Sequence, residues 1–282
     1  MFRPLNKNFH LSFKTIAKIV KRHKHVEEKV KVNEMNINIV KVGSGDKSVL
    51  LMPGAAGSNW TDFKPQIEHL PQLLPNYTVV AWDPPGYGKS IPPKRNFSLD
   101  FFQNDARKAV ELMKTLNRSK FSILGWSDGG ITGLIVAGRY PENVDKLVIW
   151  GANAYVNDED VNILKGIRDV KKWSARMREP LEKLYGAERF AEMWNEWIDA
   201  VLNIHEKCEG DFCMKEVREV RASTFILHGK KDPMLSKEHV PYLRQYLKNA
   251  KYHEFPDGKH NIHLRYAKEF NELVAKFLLE KS

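Results

Sequence analysis

Apolar residues fall into two rhythms along this chain. Between positions 28 and 42 they alternate with polar ones: Val30 and Val32, then Asn33-Glu34, then Ile37, Ile39 and Val42. A period of two broken by turn residues predicts a hairpin of half-exposed strands. After Gly43-Ser44-Gly45-Asp46 the apolar residues come instead in short continuous runs, at 48–52, 77–82, 121–124, 146–150, 224–228 and 251–255. Such runs, bounded by Gly and Pro, predict buried strands. Between them lie helical periodicities at 62–70, 99–116, 131–140, 239–247 and 264–279. A hairpin followed by alternating strand and helix predicts a mostly parallel sheet with helices on both faces.

The alternation stops from 152 to 221. That stretch is rich in charge and tryptophan and holds no convincing strand, only helical patterns at 159–170, 173–184, 188–203 and 214–220. It predicts a helical cap inserted into a core made of 26–151 and 222–282. Trp173, Trp194 and Trp197 form either the cap's own small core or part of a pocket lining.

Composition alters this picture at one end only. The formal net charge is +10, from 45 Lys and Arg against 35 Asp and Glu. Seven of the basic residues and no acidic ones fall within 1–25, which leaves 38 basic against 35 acidic residues for the rest. A nearly balanced body does not support nucleic-acid binding. The 1–25 segment, basic and amphipathic with Leu11, Phe13, Ile16, Ile19 and Val20 among its lysines, reads as a mitochondrial presequence. A basic tail on a cytoplasmic protein, or a nuclear-type cluster at Lys21-Arg22-His23-Lys24, is the alternative. No apolar run is long enough to span a bilayer, so a soluble protein without membrane partners is expected. Two cysteines, Cys208 and Cys213, make no disulfide framework and point to a reducing compartment.

Chemistry concentrates where the third buried run meets a helix, at Gly125-Trp126-Ser127-Asp128-Gly129. Gly-x-Ser-x-Gly between a strand and a helix is the nucleophile elbow of an α/β-hydrolase. The sharp turn holds Ser127 out at the top of the sheet, and side chains at Gly125 or Gly129 would crowd it. A serine hydroxyl needs a base, ordinarily a histidine held by a carboxylate. In this fold the order is Ser, then Asp or Glu, then His. Asp232, after the strand at 224–228, and His260, in the loop after the strand at 251–255, occupy those places. Asp257, His263 and His228 are weaker rivals. Two backbone N–H groups must hold the oxyanion: that of Asp128, and one from Pro53-Gly54-Ala55-Ala56-Gly57, for which Ala55 is the expected donor. No metal or organic cofactor is required. The Asp128 side chain has two readings. It is a favourable charge at a helix N-terminus, or it is the partner of a substrate ammonium beside the scissile carbonyl.

With those residues in view, the chain from 30 to 277 resembles the valacyclovir hydrolase, or biphenyl hydrolase-like, family. The resemblance rests on Val79-Val80-Ala81-Trp82-Asp83-Pro84, on 124–131 and 148–155, on Gly166-Ile167-Arg168-Asp169-Val170, on 228–233 and on Gly258-Lys259-His260-Asn261. It implies a serine α-amino-acid ester hydrolase with a helical lid and an association with mitochondria. It further implies a triad of Ser127, Asp232 and His260, with Asp128 binding the substrate α-amino group. Two departures stand out. Pro85 replaces the family's arginine before Gly86-Tyr87-Gly88, which alters local packing. Ala55 and Ala56 replace bulkier apolar residues, which is expected to widen the acyl pocket. The expected partner is a small-molecule ester, and a monomer is expected. Competing readings are a general carboxylesterase, a thiolactonase, a carbon–carbon bond hydrolase on the same fold, and a non-catalytic binding protein.

Overall fold

The computed structural model describes residues 24–281. All of the basic segment read as a presequence, except Lys24 and His25, lies outside them. Within them, the strands are β1 (His25–Val32), β2 (Met35–Val42), β3 (Lys47–Met52), β4 (Tyr77–Trp82), β5 (Phe121–Trp126), β6 (Val144–Trp150), β7 (Ser223–Gly229) and β8 (Ala250–Phe255). They form one eight-stranded sheet in the order β1-β2-β4-β3-β5-β6-β7-β8. The β1–β2 and β2–β4 pairs are antiparallel and the others parallel.

Helix α1 (Asn59–Leu73) follows β3, α2 (Phe101–Thr115) follows β4 and α3 (Asp128–Arg139) follows β5. Between β6 and β7 lie α4 (Asp158–Ile167), α5 (Ala175–Tyr185), α6 (Ala187–Lys207) and α7 (Met214–Glu219). The chain closes with α8 (His239–Tyr246), α9 (Ile262–Arg265) and α10 (Ala267–Leu279). The sheet buries a separate apolar cluster on each face. One packs Leu50, Ile123 and Ile149 against α2, α3 and the cap; the other packs Leu51, Leu124 and Val148 against α1 and α10. None of the described helices is long and apolar enough to cross a membrane.

Three elements differ from their sequence pattern for physical reasons. Strand β2 is mostly buried rather than half-exposed, because it lies inside the sheet with both faces covered: Ile37 and Ile39 belong to one apolar cluster, Val40 and Val42 to the other. Helix α3 begins at Asp128 rather than at 131. Gly129 and Gly130 carry no Cβ, which would stand 2.0 Å from the Met52 carbonyl oxygen and 2.6 Å from Ala152 Cβ respectively, so the helix can press against β3 and the segment after β6. The last helix is split at Tyr266, where the short α9 tucks His263 wholly into the core.

Chain order reverses between β3 and β5: β4 lies beyond β3 on one side and β6 beyond β5 on the other. In open parallel sheets the crevice at such a switch point, above the carboxyl ends of the strands, is where ligands bind. Here the loops after β3, β5, β6, β7 and β8 all open at that edge.

Candidate active site

The turn out of β5 forces Ser127 into φ 53° and ψ −121°. A non-glycine residue rarely adopts this left-handed backbone, and such strain collects at functional sites. Gly125 makes the turn possible, since a Cβ there would stand 2.4 Å from the Gly129 carbonyl oxygen. At Gly129 the crowding comes instead from β3 and the loop after it, not from the turn itself. Asp128 is the first residue of α3, so its N–H is among those that a helix leaves without an internal partner.

Gly54 brings the loop after β3 alongside: a Cβ on it would lie 3.3 Å from Ser127 Cβ. Two buried carboxylates shape this loop. Asp62 Oδ2 accepts from Gly54 N–H at 3.0 Å. Asp83 accepts from Asn59 N–H at 2.7 Å and Lys89 N–H at 2.8 Å, which ties the start of α1 to the loop after β4. Burial pushes Asp62 up to about 7 against the pull of its Thr61 and Gly54 hydrogen bonds, and pushes Asp83 up as well. Gly57 N–H is taken by the Gly54 carbonyl. The Ala56 carbonyl accepts from the Tyr185 hydroxyl at 3.0 Å, and that same hydroxyl accepts from Gly88 N–H at 2.6 Å. Ala55 therefore sits in a loop fixed from both sides.

His260 Nδ1 lies 2.9 Å from Asp232 Oδ2, and Asp232 Oδ1 accepts from Met234 N–H at 2.9 Å. Burial acts to raise the Asp232 carboxyl, but the His260 imidazole and the Met234 hydrogen bond outweigh it and hold the group below its ordinary range. Gly151, at φ 60°, allows the imidazole in; a Cβ there would stand 2.8 Å from His260 Cε1. Trp126 Nε1 donates to the His260 carbonyl at 3.0 Å, so the strand entering the elbow also anchors the histidine loop.

The rivals fall elsewhere. Asp257 is paired at the surface with Lys231 at 2.6 Å. His263 accepts from Trp150 Nε1 on Nδ1 and donates from Nε2 to the Asp62 carbonyl, both at 2.9 Å, and its burial pushes it down to about 3. A neutral ring with both nitrogens engaged is a structural one. His228 is half-buried, and burial lowers it.

Ser127, Asp128 and His260 line one cavity of about 50 Å³, with Phe102, Trp197 and Phe212 among its apolar walls. Asp128 is 6% exposed and accepts from Trp197 Nε1 at 2.9 Å. Burial drives its carboxyl up to about 7, opposed by the nearby Arg95 and by the Trp197 hydrogen bond. Arg95 and Asp105 line a second, smaller cavity that Asp128 also borders. Their ion pair is bidentate, at 2.8 and 2.6 Å, and Arg95 also donates to the Pro85 carbonyl at 2.9 Å. At the Pro85 departure, then, a guanidinium from later in the chain packs against the loop.

Of the three cap tryptophans, only Trp197 lines the Ser127 cavity. Trp173 and Trp194 both donate to the Ile167 carbonyl and pack edge to face at 4.7 Å inside the cap. Ala55 and Ala56 are not among the residues that line this cavity. Sequence reading passed over Arg95, Asp105, Asp62 and Tyr185. Tyr185 acts across 129 and 97 residues of chain, whereas Asp62 and the Arg95–Asp105 pair act over 8 and 10 residues, through loop geometry that no local motif marks.

A family profile described as alpha/beta hydrolase fold matches residues 47–196. The chain is 50% identical over 250 residues to serine hydrolase BPHL of Homo sapiens, covering 89% of this chain and 85% of the human one. It is 26% identical to a 2-hydroxy-6-oxononadienedioate/2-hydroxy-6-oxononatrienedioate hydrolase of Escherichia coli K12, covering 91% and 95%. The solved 2-hydroxy-6-oxo-6-phenylhexa-2,4-dienoate hydrolase of Rhodococcus sp. RHA1 superposes with a TM-score of 0.76 at 15% identity, over 92% of this chain and all of the other, a likeness of fold alone. An elbow serine on an eight-stranded, mostly parallel sheet, together with half identity across nine-tenths of the chain, places the protein among the biphenyl hydrolase-like serine hydrolases of the α/β-hydrolase fold.

Proposed function

We propose that this serine hydrolase cleaves α-amino-acid esters through an acyl-enzyme on Ser127. One observation carries the reading: a buried carboxylate, Asp128, stands directly after the elbow serine and faces the same cavity. An anion beside a carbonyl that must become an oxyanion opposes the reaction unless a cation joins it. A substrate α-ammonium supplies that cation, and it exchanges the cost of a buried unpaired charge for an ion pair.

In this mechanism His260 takes the Ser127 proton as the hydroxyl attacks the ester carbonyl, and Asp232 stabilises the imidazolium. The N–H groups of Ala55 and Asp128 hold the oxyanion. His260 then gives its proton to the leaving alcohol, and water attacks the aminoacyl-enzyme by the reverse sequence. The apolar walls suit an acyl group with a hydrocarbon side chain. A carbon–carbon hydrolase reading, suggested by the name of the E. coli relative, is less favoured, because that dioate substrate would bring further negative charge to Asp128. We further propose a monomer directed to mitochondria by residues 1–25.

The test is a matched pair, a valine ester with a free amine and its N-acetyl analogue, assayed with wild type, Ser127→Ala and Asp128→Ala. Strong preference for the free amine, lost in Asp128→Ala and with no turnover in Ser127→Ala, is the expected result. Equal kcat/KM for the two esters in wild type would leave a general carboxylesterase.

A further inference from the structure

A second carboxylate lines the Ser127 cavity. Asp160, in the first turn of α4 where the cap begins, is 4% exposed. Both its oxygens are occupied. Oδ1 accepts from Ser236 N–H at 2.9 Å, and Oδ2 accepts from Asn157 N–H at 3.0 Å and faces His239 Nε2 at 2.6 Å. His239, the first residue of α8, is wholly buried, with the Tyr155 ring edge-on at 4.7 Å. Among the described residues its Nδ1 has no partner, and the Asp160 carboxylate only accepts, so Nε2 donates to it. A carboxylate and an imidazole buried together cost desolvation that an apolar pair of the same volume would avoid. What the polar pair adds is direction: two Asp160 bonds each fix a backbone N–H, and His239 holds the carboxylate that makes them.

Those pieces are functional ones. Ser236 lies four residues after Asp232 in the same loop, and Met234 and Leu235 between them line the cavity. The near end of the loop is held by Asp232 N–H donating to the Gly229 carbonyl at 2.9 Å. Its far end is held by Asp160. Asn157 adds a bond from its side-chain amide to Ser236 Oγ at 3.2 Å and caps α4 through Asp160 N–H. The loop that presents the acid to His260 is thus strung between the sheet and the cap.

We propose that Asp160 and His239 are positioning residues that hold the far end of the 232–236 loop against the cap, so that Asp232 is aligned on His260 only while the cap is seated. This rests on the Asp232–His260 reading above. His239 does not line the Ser127 cavity; it acts on Asp232 through Asp160 and the Ser236 N–H. A misplacement of about 1 Å far from the reacting atoms can cost about a hundredfold in rate.

The experiment compares His239→Phe, which removes the donor, with His239→Gln, which returns an N–H near the Nε2 position. Each variant is assayed for kcat and KM on the free-amine valine ester. Each is also examined for the low-field proton resonance of the His260–Asp232 hydrogen bond, identified by its loss in His260→Ala. The expected result for His239→Phe is a kcat lower by about tenfold to a hundredfold, KM little changed and the resonance weakened. His239→Gln should recover most of both. If the Phe variant does not fold, Asp160→Asn, which keeps the volume and loses an acceptor, carries the same expectation. A lower Tm with wild-type kcat and an unaltered resonance would overturn the proposal. Full activity in His260→Ala would instead remove the triad on which it rests.

Discussion

At the scale of single residues, Asp128 shows how a group can serve a site at the expense of the fold. Its burial raises the carboxyl from an ordinary 3.8 to about 7. A group raised in the folded state contributes stability that is complete below its unfolded value and is lost as pH rises through the folded one. Asp128→Asn keeps an acceptor for Trp197 and removes this loss. The variant should match wild type near pH 4 and be more stable at pH 8 by a few kcal/mol, about 1.4 for each pH unit between the two values. Urea denaturation at both pH values checks it. The same titration should mark selectivity. The ratio of kcat/KM for free-amine over N-acetyl ester cancels His260 and should fall as pH drops through 7 and Asp128 takes up a proton. The residue pair His260 and His263 carries a related lesson. Both stand near a helix start in the same short stretch, and the loop position favoured His260. Only the fold reveals that His263 has both nitrogens spent on Trp150 and the Asp62 carbonyl.

At the scale of elements, the elbow depends on β5, β3 and α3 approaching with glycine at each point of contact. A different contact fixes α2. Asp105, on its buried face, holds Arg95, which is itself buried and stacked over the Tyr87 ring at 4.4 Å. Asp105→Ala would leave an uncompensated guanidinium in the interior. Breaking a buried pair from one side typically costs about 3–5 kcal/mol, and a loss of that size in urea denaturation is expected. Such a loss would also place Arg95 free beside Asp128 and weaken the preference for a free amine. Element boundaries were legible where caps and glycines announced them, as in β4, which spans 77–82 in both sequence pattern and structure. They were not legible where tertiary contacts moved them. The start of α1 follows a local rule instead: Ser58 and Thr61, three residues apart, form a reciprocal capping box that carries the helix back to Asn59, ahead of the apolar pattern.

At the scale of the whole molecule, the helices between β6 and β7 touch the site machinery at three separate points. Tyr185 holds the Ala56 carbonyl, Trp197 holds Asp128, and Asp160 holds the loop of Asp232. The cavity they enclose is small, so its walls set the acyl group that fits. Phe212, packed edge to face on Phe102 at 5.1 Å, forms part of that wall. Phe212→Ala should raise kcat/KM for phenylalanine esters relative to alanine esters, by roughly tenfold on the scale of a methylene or two in an apolar pocket. Measuring both esters with both enzymes checks this, and an unchanged ratio would place the acyl group elsewhere.

The strand and helix alternation, the elbow and the slots of Asp232 and His260 are legible in the chain alone. These are properties of short stretches: periodicity sets which face is buried, glycine sets where backbones meet, and chain order sets which loops share an edge. It takes the folded chain to show that Trp197 and not Trp173 or Trp194 reaches Asp128, that Arg95 and Asp105 stand behind it, and that Asp160 meets His239 across 79 residues. These pairings are settled by packing two distant elements at once. A hydrogen bond or ion pair of that kind depends on a distance of a few ångströms between points that no local pattern connects.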